Sequence, residues 1–114
     1  MRIHFSNAVR VGDTVYGSSG DFGTVLFTAI SAKTGEILWR SREIGRATLI
    51  YADDKLIFLD ENGTLGLASI LSDGVKIQST VQILEGPYAW TPPTLVGNRL
   101  YLRDRKSLVA LELP

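Results

Sequence analysis

The glycines at positions 17, 20 and 23 have a spacing that could cradle a phosphate group. Such a loop needs the N-terminus of a helix directly behind it, because the free N–H groups there bind the anion. The residues that follow, 24–30, are mostly β-branched, aromatic or aliphatic and predict a strand instead. The glycines therefore indicate a connection within a β-hairpin.

The segment 60–63, Asp-Glu-Asn-Gly, offers oxygen ligands of the kind that calcium prefers. A calcium loop also needs a later bidentate glutamate at fixed spacing, which this segment lacks, so we interpret it as a solvated turn. The same turn begins the pattern Asn62-Gly63-Thr64, which fits a glycosylation acceptor but is a short and common match.

Neither a metal site nor a nucleic-acid site is indicated elsewhere. His4 is the only histidine, stands near the terminus and has no cysteine to join it as a ligand, so we interpret it as a surface residue. A modest basic cluster, interrupted by Asp104, predicts a solvated strand face. Its members are Arg99, Arg103, Arg105 and Lys106.

Composition limits the classes of partner. The 114 residues are 45% hydrophobic, enough for one small domain with a core, and 12 basic residues balance 12 acidic ones. This balance gives no electrostatic support for nucleic acid or an anionic membrane as partner. No cysteine is present, no apolar run approaches the length of a membrane span, and residues 1–6 lack the apolar core of a secretory signal. A signal would have to lie outside this chain.

Short apolar runs separated by turn signals predict an all-β fold. No stretch places apolar residues at helical spacing over three turns. The turns contain Gly-Asp, Asp-Asp, Asn-Gly and Asp-Gly pairs. Besides a weak strand at 1–5, the predicted strands are 9–11, 14–16, 25–30, 37–39, 48–51, 56–59, 65–71, 75–84, 94–96, 99–102 and 107–113.

Three segments repeat the same strand–turn–strand pattern. They are 11–16, 52–57 and 96–101, and their turns lie 41 and 44 residues apart. We align Ala29, Ala68 and Ala110 as equivalent positions on the third strand of each unit. A period of about 40–45 residues with four short strands is typical of a propeller blade. Unrelated hairpins of a β-sandwich would not need the same turn chemistry at the same phase three times.

The hairpin 25–39 carries the most specific pattern. Lys33 to Glu36 predicts a tight turn in which Gly35 adopts a positive φ. The segment resembles the blade motif Ala-x-Asp-x-x-Thr-Gly-x-x-x-Trp of pyrroloquinoline-quinone-like (PQQ-like) β-propellers, and departs from it at Ser31. The matching residues are Ala29, Thr34, Gly35 and Trp39.

The resemblance implies that Trp39 docks a blade against its neighbour near Gly35. It divides the chain into units of about 6–44, 45–85 and 86–114. The second unit has Gln78 in the place of Trp39, and the third ends after three strands. Segment 90–104 is similar to a final blade, so we expect the C-terminal part of a larger propeller, which needs roughly four to eight blades.

Two functions remain compatible with this resemblance. The first is a non-catalytic binding or scaffold module, similar to propellers of outer-membrane assembly factors, with a protein or the remaining blades as partner. Self-association and a periplasmic or extracellular location are then expected. The second is a fragment of a PQQ-dependent quinoprotein dehydrogenase whose cofactor site lies outside this chain. We favour the first, because the chain lacks cysteine and shows no constellation of calcium ligands, stacking tryptophan and catalytic aspartate.

We therefore expect no enzymatic activity, no cofactor and no structural metal. Titration of the purified protein with PQQ and calcium should leave its tryptophan fluorescence without a saturable change. A stoichiometric change at micromolar ligand would contradict this expectation.

Overall fold

The computed structural model describes residues 6–20, 24–85 and 89–113, and every described strand belongs to an antiparallel sheet. No helix occurs in these ranges, so the all-β prediction is confirmed. The strands are β1 (Ala8–Val11), β2 (Thr14–Ser19), β3 (Leu26–Ser31), β4 (Ile37–Ser41), β5 (Ala47–Ala52), β6 (Lys55–Asp60), β7 (Thr64–Ile70), β8 (Val75–Gln82), β9 (Thr94–Val96), β10 (Arg99–Arg103) and β11 (Leu108–Glu112).

Each sheet is a meander of consecutive strands. The first sheet has the order β1-β2-β3-β4, the second β5-β6-β7-β8, and the third β11-β10-β9. In the described part of the chain the third sheet therefore has three strands where the other two have four. Each sheet lies within one of the predicted units 6–44, 45–85 and 86–114, but the division into propeller units stays a prediction.

The turns that join neighbouring strands depend on residues tolerant of positive φ. Gly12 and Gly97 have φ values of 60° and 61° in two-residue turns at the same position of the first and third sheets. The corresponding turn of the second sheet uses Asp53 and Asp54, at 50° and 60°. Aspartate tolerates this region better than most residues with a side chain. The sequence therefore specified these three hairpins locally.

Two predicted connections differ from the structure. The glycine-rich segment 17–23 was expected to be a loop, but β2 continues through Ser19 because Gly17 and Ser18 pair with Thr28 and Phe27 of β3. Residues 21–23 lie outside the described ranges, as does the weak strand expected at 1–5.

The second sheet lies between the other two. One core cluster joins residues of the first and second sheets, and another joins residues of the second and third. The first cluster comprises Tyr16, Phe27, Ala29, Ile44, Ala47, Leu49, Leu56, Phe58, Ala68 and Val75. The second comprises Ile57, Leu59, Leu84, Ala89, Leu100 and Leu102. Successive residues of β6 thus alternate between the two clusters, as the alternation of side chains along a strand requires.

Both sheet-to-sheet contacts use the same pair of faces. Tyr16 packs in the first cluster, and Ile57, at the corresponding position of β6, packs in the second. Leu56 faces the first cluster, and its counterpart Leu100 in β10 faces the second. The sheets therefore stack head to tail: each turns one face toward the next sheet and the opposite face toward the previous one.

The predicted alignment of Ala29 with Ala68 is wrong by one residue. Tyr16 pairs with Ala29 between β2 and β3, whereas Ile57 pairs with Leu67 between β6 and β7. Leu67 thus occupies the place of Ala29. Ala68 faces the first cluster instead of the second, because a shift of one residue along a strand reverses the face.

The residue opposite this position also differs from the prediction. Trp39 pairs with Ala29, but Ser79 rather than Gln78 pairs with Leu67. Both pairings contain an irregularity in register, and the one in the second sheet lies at Leu67 and Ala68, one position earlier than in the first sheet. Counting residues from the turn glycine cannot reveal where such a bulge falls.

Gly66 tests the packing of the second sheet. Gly66 pairs with Phe58, and an added Cβ would collide with the Phe58 ring. Gly66→Ala should therefore lower the free energy of unfolding by about 1–3 kcal/mol, as overpacking does, measured by urea denaturation. Gly74→Ala is the control, because a Cβ there meets nothing within 4 Å. Equal midpoints for both variants would contradict the packing.

Candidate functional site

The residues singled out by the blade motif form two small groups. Ala29 and Trp39 are cross-strand partners, with Ala29 fully buried and Trp39 partly buried. Thr34 and Gly35 lie in the exposed β3–β4 turn, where Gly35 has the expected positive φ of 77°. The Oγ of Ser31 accepts a hydrogen bond from the Thr34 N–H at 3.3 Å, so serine stabilises this turn where the motif has aspartate.

Trp39 fills the space above its small partner. Its ring lies 5.9 Å from Tyr16 and 6.0 Å from Phe27, measured between centroids and with tilted planes. Such spacing is within the favourable range for aromatic pairs. Trp39 also packs against the cluster shared by the first two sheets. Its ring therefore contacts its own sheet directly and lies at the junction with the second.

Polar side chains connect the first sheet to the second. The Asn7 amide donates to the Leu49 carbonyl at 3.0 Å and accepts from the Leu49 N–H at 2.7 Å. The buried Ser18 hydroxyl donates to the Gly45 carbonyl at 2.6 Å and accepts from the Ala47 N–H at 3.3 Å. These bonds supply partners for backbone groups at the start of the second sheet. They fix the position of β5 against the first sheet.

The carboxylates expected to be solvated hold turns instead of presenting ligands. Asp60 accepts hydrogen bonds from the N–H groups of Asn62 and Thr64 at 2.9 and 3.0 Å. Asp104 is buried and accepts from the Lys106 and Ser107 N–H groups at 2.8 and 2.7 Å. Both residues end the second strand of a sheet hairpin. Their oxygens are used in the same way, as Asx turns.

No chemical centre emerges from the titratable groups that the structure describes. No group of three or more histidine, cysteine, aspartate or glutamate side chains is close enough to hold a metal ion in those ranges. Glu61 pairs with Arg46 at 3.3 Å. Partial burial, with the nearby Asp54 carboxylate at 3.4 Å, raises the pKa of Tyr51 above its ordinary value. A phenol that stays neutral at higher pH offers no catalytic base at neutral pH. No described helix is long and apolar enough to cross a membrane.

Surfaces, rather than catalytic groups, distinguish the outer sheets. No described sheet covers the outward face of the first sheet, where Ile37 and Leu38 are 49% and 51% exposed. On the third sheet, Leu108 is 74% exposed and Ala110 is exposed beside it. Exposed aliphatic residues on sheet ends indicate contact surfaces. The sequence analysis missed them because it did not locate the faces of the strands.

A groove of about 540 Å³ lies between the second and third sheets. Its apolar side chains come from the middle of β6 to β8 on one side and from both ends of the third sheet on the other. They are Ile57, Leu65, Leu67, Val81, Leu95 and Leu113. The polar rim includes Lys55 and Asn98. This shape suits an extended apolar segment better than a small charged ligand.

Trp39 tests the junction between the first two sheets. Because its ring is only partly buried, Trp39→Ala should lower the free energy of unfolding by about 2–3 kcal/mol, against about 3–5 kcal/mol for the fully buried Phe27→Ala. Leu38→Ala, at an exposed neighbour, is the control and should change it by less than about 1 kcal/mol. Urea midpoints give all three values, and a Trp39→Ala midpoint equal to that of the wild type would refute the packing role.

Comparison with known proteins leaves the geometry as the basis for interpretation. No protein-family model matches the chain. No curated protein sequence matches it either. Any function has to be argued from the stacked sheets, their exposed outer faces and the groove between the last two.

Proposed function

We propose that this chain is a non-catalytic binding module of PQQ-like propeller blades, which serves as a scaffold by adding further blades to its outer sheets. The observation that carries the proposal is the head-to-tail stacking. The faces that bear Tyr16 and Ile57 are each covered by the back of the next sheet. The equivalent face of the third sheet, which bears Tyr101, has no sheet over it among the described residues.

The two outer faces are unlike each other, which defines how copies could join. The first sheet presents the same kind of face that Leu56 and Leu100 form in the second and third sheets. The third sheet presents the opposite kind. A contact between unlike faces is heterologous, and it closes into a ring or continues as an open assembly, depending on the rotation between units. Propellers are the closed form of this arrangement.

The local motif supports blades of the PQQ-like kind. The Ala29–Trp39 pair, the Gly35 turn and the hydroxyl of Ser31 fit that motif in geometry as well as in sequence. We infer that the natural partner is the remainder of the same propeller or a protein docked on it. The carboxylates of Asp60 and Asp104 are engaged in turns, so the described residues present a binding surface and not a reaction centre.

Isolated protein should therefore self-associate, because other copies are then the only available blades. Multi-angle light scattering over a range of concentrations should show species larger than a monomer. The double variant Ile37→Lys/Leu38→Lys, which places charges on the outward face of the first sheet, should shift the protein toward monomer without changing its β-sheet circular dichroism.

The matched control is Leu71→Lys. Leu71 is 45% exposed but lies in the β7–β8 turn, away from both outer faces, so this variant should associate as the wild type does. A wild-type protein that stays monomeric at high concentration would contradict the proposal, and so would a double variant that assembles unchanged.

A further inference from the structure

The outer edge of the third sheet lacks the protection that the other two outer edges have. β4 and β8 each pair through an irregularity in register and carry a basic side chain, Arg40 and Lys76 respectively. β11 pairs with β10 without a shift, and its only charged residue is Glu112. Bulges and inserted cations are common devices against unwanted strand pairing. Their absence from β11 indicates an edge suited to pairing.

The backbone of β11 is oriented for such pairing. The Leu113 N–H donates to the Asn98 carbonyl at 2.6 Å, toward β10. Since peptide groups alternate in direction along an antiparallel strand, the N–H and C=O groups of Leu108, Ala110 and Glu112 point to the opposite side. β11 is the terminal strand of its sheet in the described ranges. The free side therefore offers a regular row of donors and acceptors.

The first sheet shows what kind of side chain fits above this edge. There, Tyr16 pairs with Ala29, and Trp39 on the fourth strand pairs with Ala29 from the other side. The third sheet repeats the first two of these positions, since Tyr101 pairs with Ala110. Ala110 is exposed, so the space that Trp39 fills in the first sheet is open here.

The second sheet shows that this position follows size. There, the large Leu67 takes the place of Ala29, and its partner on the fourth strand is the small Ser79. A small residue faces a large one in the first sheet and a large residue faces a small one in the second. Since Ala110 is small, the complementary residue on an added strand is large. Tyr101 supplies the neighbouring ring, as Tyr16 does for Trp39.

The groove supplies space for the opposite side of the added strand. Its wall includes Leu65 and Val81 of the second sheet and Leu113, which directly follows β11. Val81 is 52% exposed. A strand beside β11 would direct alternate side chains toward this wall and would cover apolar surface there.

We propose that β11 is the acceptor site for an extended polypeptide strand that pairs antiparallel with it and places tryptophan, or a similarly bulky aromatic residue, opposite Ala110. Apolar side chains on the other side of this strand enter the groove. The inference rests on the proposed binding function and specifies the chemistry of the partner: a β-strand of another polypeptide, not a helix or a small molecule.

A fluorescein-labelled peptide that copies residues 35–42, the chain's own strand with Trp39, is the probe. Fluorescence anisotropy should show saturable binding, and hydrogen exchange should show new protection at Leu108, Ala110 and Glu112. The peptide with alanine in place of tryptophan should bind at least tenfold more weakly. Absence of binding at millimolar peptide, or equal affinity of both peptides, would overturn the proposal.

A size exchange separates specific pairing from general stickiness. Ala110→Leu should weaken the tryptophan peptide at least tenfold and should favour a peptide with serine at that position, as Leu67 and Ser79 pair in the second sheet. Gln78→Leu, on the outer edge β8, is the matched control and should change neither affinity. Thermal unfolding verifies that the variants are folded. Loss of binding in both protein variants alike would contradict the assignment to β11.

The same samples distinguish this inference from the proposed function. If light scattering shows self-association that the peptide neither binds nor reduces, the module remains a scaffold and the β11 site is wrong. If the protein is monomeric and yet binds the tryptophan peptide at β11, the strand site stands and the stacking of outer faces is wrong.

Discussion

The alternation of apolar residues along β6 is the constraint on which the structure depends. Leu56 and Phe58 face one side of the second sheet, and Ile57 and Leu59 face the other. Each such side chain contributes about 1.5–3 kcal/mol when it is removed from water. A sheet with two apolar faces therefore has to be covered on both sides. The first and third sheets provide this cover, and neither could be removed without exposing half of the core.

The outer sheets meet the same constraint only in part. The first sheet buries Tyr16 and Phe27 on the inner face and leaves Leu38 exposed on the outer one. The third buries Leu100 inside and leaves Leu108 exposed. A stack that repeats one pair of faces always ends in two uncovered, unlike faces. Binding at these ends is the simplest way to satisfy them, which links the packing of the core to the proposed function.

Polar chemistry in this protein serves the architecture. Asp60 and Asp104 satisfy backbone N–H groups in turns, and Ser18 and Asn7 satisfy backbone groups between sheets. An oxygen that is engaged in this way is held in place and is less available to a metal or a substrate. The groups that looked most like ligands in the sequence therefore have structural partners, while the most exposed features are aliphatic.

Local chemistry allowed the sequence to predict the all-β class and most of the turns. Gly12, Gly35 and Gly97 stand where a positive φ is needed, and that need is set within a few residues. The candidate surfaces were less predictable. Ala110 was noticed as a repeated small residue, but its exposure and its pairing with Tyr101 depend on strands that meet in the folded sheet.

The tertiary structure decided the register, the faces and the free edge. The bulge beside Ala68 moves that residue to the opposite face from the one its spacing predicted, because a shift of one residue reverses every side chain beyond it. The continuation of β2 through Ser18 likewise depends on Phe27, its partner on β3, and on the contact with Ala47. Sequence spacing determines which residues can turn or extend, whereas pairing between distant strands determines which of them are buried and which remain available for binding.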